Sequence, residues 1–183
     1  MGRRVPAPAN ARRCQRIRRS LAVVMTMLAT GACRDPIPTK YALFFELPRD
    51  VYADSLLTYS VKDRVEIYLI AMTHLGPPPD HLARVVAQAG LSAVPYIMME
   101  LDSTSDDHAQ SALAYVLEEM ACQGHPVGDS TAAAQHLETL VGQMPEGYWR
   151  ARVSESLEVI RGQRGCTVSE EELRQGIRQI PHR

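Results

Sequence analysis

Acidic residues are missing from the first twenty positions of this 183-residue chain, while Arg3, Arg4, Arg12, Arg13, Arg16, Arg18 and Arg19 crowd into them. A long hydrophobic run is missing too. Residues 21–32, LAVVMTMLATGA, are uncharged and mostly apolar, but a membrane-spanning helix needs about 20 such residues, so this run is not one. Aromatic bulk is scarce, with two Phe and one Trp. Leu, Val, Ile, Met and Ala must therefore fill the core, and small side chains favour helices that approach closely. Also absent are HExxH, GxSxG, SxxK and a glycine-rich phosphate loop, which removes the usual signatures of metalloprotease, hydrolase, acyl-transfer and nucleotide chemistry. The chain reads as non-enzymatic, with no cofactor.

What stands at the N-terminus is a basic stretch, then a short apolar stretch, then the small residues Ala29, Thr30, Gly31 and Ala32, and then Cys33. That order is the architecture of a secretory signal. A plain export signal or an Arg-rich transit peptide shares parts of it. Met1-Gly2 is no myristoylation start, because Pro6 fills the position that needs Ser or Thr. On Gly31, Ala32 and Cys33 the segment resembles the bacterial lipoprotein family, whose signal ends in a lipobox of Leu, a small residue, Gly or Ala, and the lipidated Cys. Thr30 departs from that pattern, with Leu28 close by. The resemblance covers residues 1–33. It implies a signal peptide over 1–32, cleavage before Cys33, acyl chains on Cys33, and a mature chain held at the cell envelope with its domain facing the periplasm. The absence of Asp directly after Cys33 favours the outer membrane by the same analogy.

From Cys33 onward the chain has thirteen basic and twenty-one acidic residues, a formal charge of −8. An acidic domain has no electrostatic reason to bind nucleic acid or anionic lipid. Membrane attachment would then rest on the lipid at Cys33, where two or more acyl chains anchor stably and one does not. Cys14 leaves with the signal, so Cys122 and Cys166 remain. In an exported protein the pair invites a disulfide, and two buried free thiols are the alternative.

Residues 33–40 read as a proline-containing tether and 41–183 as one domain. Tyr41–Leu47 is the most aromatic stretch, open to a strand, an extended or a helical reading, and residues 50–59 carry a weak helical pattern. Six or seven helices follow from spacing and punctuation. Ser60 caps a helix through Val61, Val65, Tyr68 and Met72, stopped by Gly76-Pro77-Pro78-Pro79. Asp80 caps the next, on Leu82, Val85, Val86 and Ala89. Ser92 opens another on Val94, Ile97, Met98 and Leu101, with Pro95 in its first turn. Ser105 caps a longer helix on Ala109, Ala112, Leu113, Val116 and Met120, closed by Gly124-His125-Pro126. Asp129 or Ser130 starts one on Ala133, Leu137, Leu140, Val141 and Met144. Trp149, Val153, Leu157 and Ile160 mark another, and capping boxes at 167–172 open a last one on Leu173, Ile177 and Ile180. The class is all-α. Ala93-Val94-Pro95, Leu101-Asp102 and the Ala112/Leu113/Leu117 face resemble one HEAT repeat. That implies a short α-solenoid of helical hairpins, with a compact bundle as the alternative.

Sites are few. Cys122-Gln-Gly-His125 has ligand-like spacing and, with His136 and Cys166, would make a Cys₂His₂ zinc centre; a disulfide beside an exposed turn histidine is the simpler reading. A hydrolytic site would have to use the neighbourhood of His125, Asp129 and His136. Asp106, Asp107 and His108 suggest a general base, but acids in a first helical turn need only the helix dipole to explain them. Met98-Met99 fits a pliable groove or the core, and Glu170–Glu172 a helix start. The expectation is a lipid-anchored, non-catalytic interaction or scaffold module with an unknown protein partner. An inhibitor or immunity-like protein covering a basic enzyme is the narrower form.

Overall fold

The computed structural model describes residues 36–128 and 131–166. The described residues belong to a single compact unit. Every regular element among the described residues is helical, and the protein is all-α. The α-helices are α1 (Ala42–Phe45), α2 (Tyr52–Leu56), α3 (Val61–His74), α4 (His81–Ala87), α5 (Val94–Ser103), α6 (Asp107–Cys122), α7 (Thr131–Gln143) and α8 (Tyr148–Ile160). Short 3₁₀ turns at Thr39–Tyr41, Arg49–Val51 and Gly90–Ser92 join or precede them. No single helix among the described residues is long and apolar enough to cross a membrane.

The aromatic stretch left open by its sequence is helical. Its reason is packing, since Phe44 stacks on Tyr52 at 4.6 Å and meets Phe45 and Tyr59 edge-on at 5.2 and 5.9 Å. Both phenylalanines of the chain are spent on this one cluster, and Ile37 packs against the same core. The folded unit therefore starts ahead of Tyr41. Lys40 Nζ lies 2.7 Å from Glu66 Oε2 and 3.3 Å from Asp63 Oδ1. The Tyr41 hydroxyl sits 2.5 and 2.6 Å from the same two oxygens, and with one hydrogen to donate it serves one carboxylate at a time.

Capping follows the chain's punctuation with instructive shifts. Ser60 Oγ accepts from the Asp63 amide, as its spacing predicts. The cap of α6 is Asp106 rather than Ser105; its carboxylate accepts from the Ala109 amide at 2.8 Å. Asp80 precedes α4 in a helical conformation and makes no cap bond. Ser92 caps nothing either: it lies in the 3₁₀ turn and donates to the Ala89 carbonyl. Pro95 occupies the first turn of α5, where its missing N–H costs nothing. Between α4 and the Gly90–Ser103 segment the chain turns by 96°. The expected starts at Asp129 or Ser130 and the last helix with its capping boxes lie outside the described residues.

Packing follows the order of stacked hairpins. The pairs α3/α4, α5/α6 and α7/α8 touch, α4 and α8 flank α6, and α3 meets α5. His136 of α7 reaches Asp102 of α5 at 3.7 Å, so the first helices line up as the second helices do. α3 also touches α6, which closes the stack into a compact body. The two most extensively packed helices, α6 and α8, end alike. At Gly124 (φ +83°) and Gly162 (φ +68°) the left-handed residue lets the His125 amide reach the Met120 carbonyl and the Gln163 amide reach the Glu158 carbonyl. These are Schellman closures. Gly128 has a different reason to lack a side chain, because a Cβ there would lie 2.4 Å from the Ile160 carbonyl oxygen.

Beyond those closures a disulfide joins Cys122 to Cys166 across 44 residues. Closing a loop of that size stabilises the fold by about 4 kcal/mol on the chain-entropy argument. Cys166→Ser should lower the urea unfolding free energy by roughly that amount and leave the helical signal intact at low denaturant. Two free thiols in freshly purified wild-type protein would show that the bridge does not form.

The contact at Lys40 and Tyr41 sets an acid limit. Asp63 is held below the ordinary carboxylate range chiefly by the Ser60 hydroxyl, then by Tyr41 and Lys40. Burial opposes the charge on Glu66, and Lys40 and Tyr41 more than offset it. Groups with depressed folded-state pKa stabilise above their unfolded values, near pH 4, and lose that contribution as pH falls through the folded ones. Hydrogen exchange across residues 39–47 should accelerate below about pH 4, and Tyr41→Phe should flatten that dependence. Exchange that ignores pH in the wild type would sink the account.

Candidate functional site

Three helices leave a cleft of about 410 Å³ between them. α3 supplies Tyr68 and Met72, and α6 supplies His108, Ser111, Ala112, Tyr115 and Glu118. α8 supplies Tyr148, Trp149 and Arg152, while Pro78 and Asp80 close one side from the proline-rich link. The cleft exists because α6 carries Ser111 and Ala112 where larger side chains would fill the space.

Its wall is aromatic. The His108 ring lies tilted over Trp149 at 4.5 Å, and Tyr148 meets Trp149 edge-on at 4.7 Å. The apolar pattern of α8 predicts Trp149 in the core, but it is 37 % exposed, and Tyr148 is 68 % exposed. Both sit in the first turn of α8, where Trp149 meets His108 in the first turn of α6, while Ser156 two turns further along α8 bonds Glu118. Tyr68 is fully buried at the back, its hydroxyl donating to the Ala112 carbonyl at 3.2 Å. Burial pushes its phenol well above the ordinary range, and the Asp80 charge adds to that.

Its floor is charged. Glu118 is buried, and among the described residues its hydrogen-bond donor is Ser156 Oγ, 2.7 Å from Oε2. The Arg152 guanidinium stands 5.9 Å from the Tyr115 ring centre and bonds Glu155, which Arg164 also approaches at 3.4 Å. Burial works against the Arg152 charge, and the Glu155 bond together with the Glu118 field holds it above its ordinary value. Tyr115 donates to Glu119, which Arg84 also pairs at 3.2 Å. Asp80 is exposed and takes part in no side-chain bond among the described residues. The arrangement offers two carboxylates and a row of ring faces. It offers no nucleophile paired with a base.

The residues singled out by sequence mostly lie elsewhere. Cys122 and Cys166 are bonded to each other, the simpler of the two readings, so neither sulfur is free for a Cys₂His₂ zinc centre. No group of three or more His, Cys, Asp or Glu among the described residues could hold a metal ion. His125 packs over Gly90 and His136 pairs with Asp102. Asp129 and Glu170–Glu172 are outside the described residues. Asp106 is the α6 cap, and only His108 of that trio lines the cleft. Met98 packs against the core while Met99 is 45 % exposed. Tyr115, Glu118 and Arg152 carry no motif. A buried Glu in an otherwise Ala-rich helix was the one signal available.

No family model, no curated protein and no solved structure matches this chain.

The Glu118–Ser156 bond separates two substitutions. Glu118→Ala leaves a buried hydroxyl without its acceptor and should cost about 2 kcal/mol of unfolding free energy. Glu118→Gln keeps an acceptor oxygen and should cost about half that or less. Equal losses in urea titrations would show that the hydrogen bond contributes nothing.

Proposed function

We propose that this protein is a lipid-anchored envelope module that binds a partner protein and catalyses nothing itself. The observation that carries the reading is the short apolar run that follows an acid-free basic stretch and closes on Gly31-Ala32-Cys33. A disulfide between the two remaining cysteines supports export, since such bonds persist in oxidising compartments. The lipid on Cys33 would be the membrane contact, on the periplasmic side and favourably at the outer membrane.

The tether would be short. Four residue steps separate Cys33 from Ile37, a reach of at most about 14 Å, and the Lys40 and Tyr41 contacts hold the next residues on α3. The domain would then stand close to the bilayer with its cleft available to a neighbour. An inhibitor or immunity-like role is the narrower reading, favoured by the −8 charge of the chain from Cys33 on, which suits a basic target. Hydrolysis is disfavoured by the bonded cysteines and by the separate surroundings of His125 and His136.

Cys33→Ser tests the anchor. Wild-type protein should take up labelled fatty acid and fractionate with membranes, and the variant should do neither while staying folded. A variant that remains in the membrane fraction, with an unlabelled wild type, would end the lipoprotein reading.

A further inference from the structure

We infer that the cleft between α3, α6 and α8 seats an arginine side chain of a basic partner protein. This rests on reading the domain as a partner-binding module, and it names the chemistry of that partner.

Four observations converge on it. The cleft presents Tyr148 and Trp149 at its mouth, more exposed than apolar rings of a closed core, and aromatic faces attract a guanidinium through their quadrupole. It holds two carboxylates with acceptor capacity to spare. Glu118 is nine-tenths buried and receives one hydrogen bond, from Ser156, while Asp80 is exposed across from it. The resident cation, Arg152, gives its hydrogen bond to Glu155 and acts on Glu118 only through its field, so the acceptor positions of Glu118 and Asp80 are not taken up by it. That same guanidinium over Tyr115 shows the geometry one such group already adopts in this cleft. Finally, the field is right at long range, with a formal charge of −8 from Cys33 to the C-terminus. A planar guanidinium satisfies both halves of this site, stacking on rings and forking toward a carboxylate, where an ammonium meets only the charge. A carboxylate ligand would face Asp80 and Glu118 directly.

Trp149 is the only tryptophan in the chain, so its fluorescence reports on this cleft alone. Purified protein would be titrated with the blocked tripeptide acetyl-Gly-Arg-Gly-amide and, separately, with the same peptide carrying citrulline, a neutral isostere of arginine. The arginine peptide should shift Trp149 emission saturably and the citrulline peptide should not. Asp80→Asn, an exposed change, and Glu118→Gln, which keeps the Ser156 acceptor, should each weaken the response about tenfold, the worth of one charge-assisted contact. Equal responses to the two peptides, or none to either, would overturn the inference. So would a response to a chitin oligosaccharide with none to arginine, which would make the cleft a sugar site. The Cys33→Ser protein should bind the peptide as the wild type does. A cleft that stays silent in a membrane-anchored protein therefore refutes only this inference, and binding by a protein that takes no lipid refutes only the anchor.

Discussion

The fold depends on how closely other helices can approach α6. Ala109, Ser111, Ala112 and Ala114 put almost no side-chain bulk on it, and Leu113, Val116, Leu117 and Met120 fill what remains. α3, α4, α5 and α8 all pack against this one helix. Such proximity brings polar groups of neighbours within bonding range, so the Tyr68 hydroxyl can use the Ala112 carbonyl, which has a lone pair to spare beyond its helical bond. Ser156 can reach Glu118 for the same reason. A larger residue at 112 or 114 would push the layers apart, and overpacking of this kind costs about 1–3 kcal/mol.

The small residues that let α8 and α4 close on α6 also leave a cleft where α3 and the start of α8 diverge. Its chemistry is therefore tied to the fold. Glu118 cannot be traded for a leucine without orphaning the Ser156 hydroxyl, and Arg152 would lose part of the field that keeps its charge in place. Trp149 and Tyr148 contribute comparatively little to the core, exposed as they are. Aromatic area left open at that position is costly in water, and a ligand that covers it recovers the cost.

Sequence spacing revealed the helices because each buried face repeats at three and four residues. α6 was the clearest, and its five expected core positions are all buried. Caps were less legible. Ser105 and Asp106 are equally good cap residues on paper, and only the backbone path from Thr104 puts the oxygen of Asp106 over the Ala109 amide. Ser92 lost its role because Gly90, at φ +58°, turns the chain two residues earlier. Of the site, almost nothing was legible. Its members run from Tyr68 to Arg152 on three helices and the link after α3, and periodicity cannot tell that Trp149, in register with the core, stays partly exposed against His108 in the first turn of α6. The cysteine pair was readable because it followed from elimination and compartment rather than from geometry.

Electrostatics then join the two ends of the proposed function. A chain cleaved before Cys33 would carry a formal charge of −8 and be repelled by an anionic bilayer, so without an anchor the domain would avoid such a surface. Acyl chains contribute about 0.8 kcal/mol per buried methylene, which far exceeds that repulsion at physiological screening lengths of about 8 Å. The proposed anchor would hold the domain against its own charge and leave that charge to act on proteins. A basic partner of the kind proposed would be drawn in by the far field, which would set its rate of encounter, whereas its retention would depend on groups shielded from salt. Glu118 is the shielded one, buried at the floor of the cleft beneath the rings. Under the proposal, affinity for an arginine would concentrate at the position where solvent screens least, and the acidic exterior would need to supply only direction.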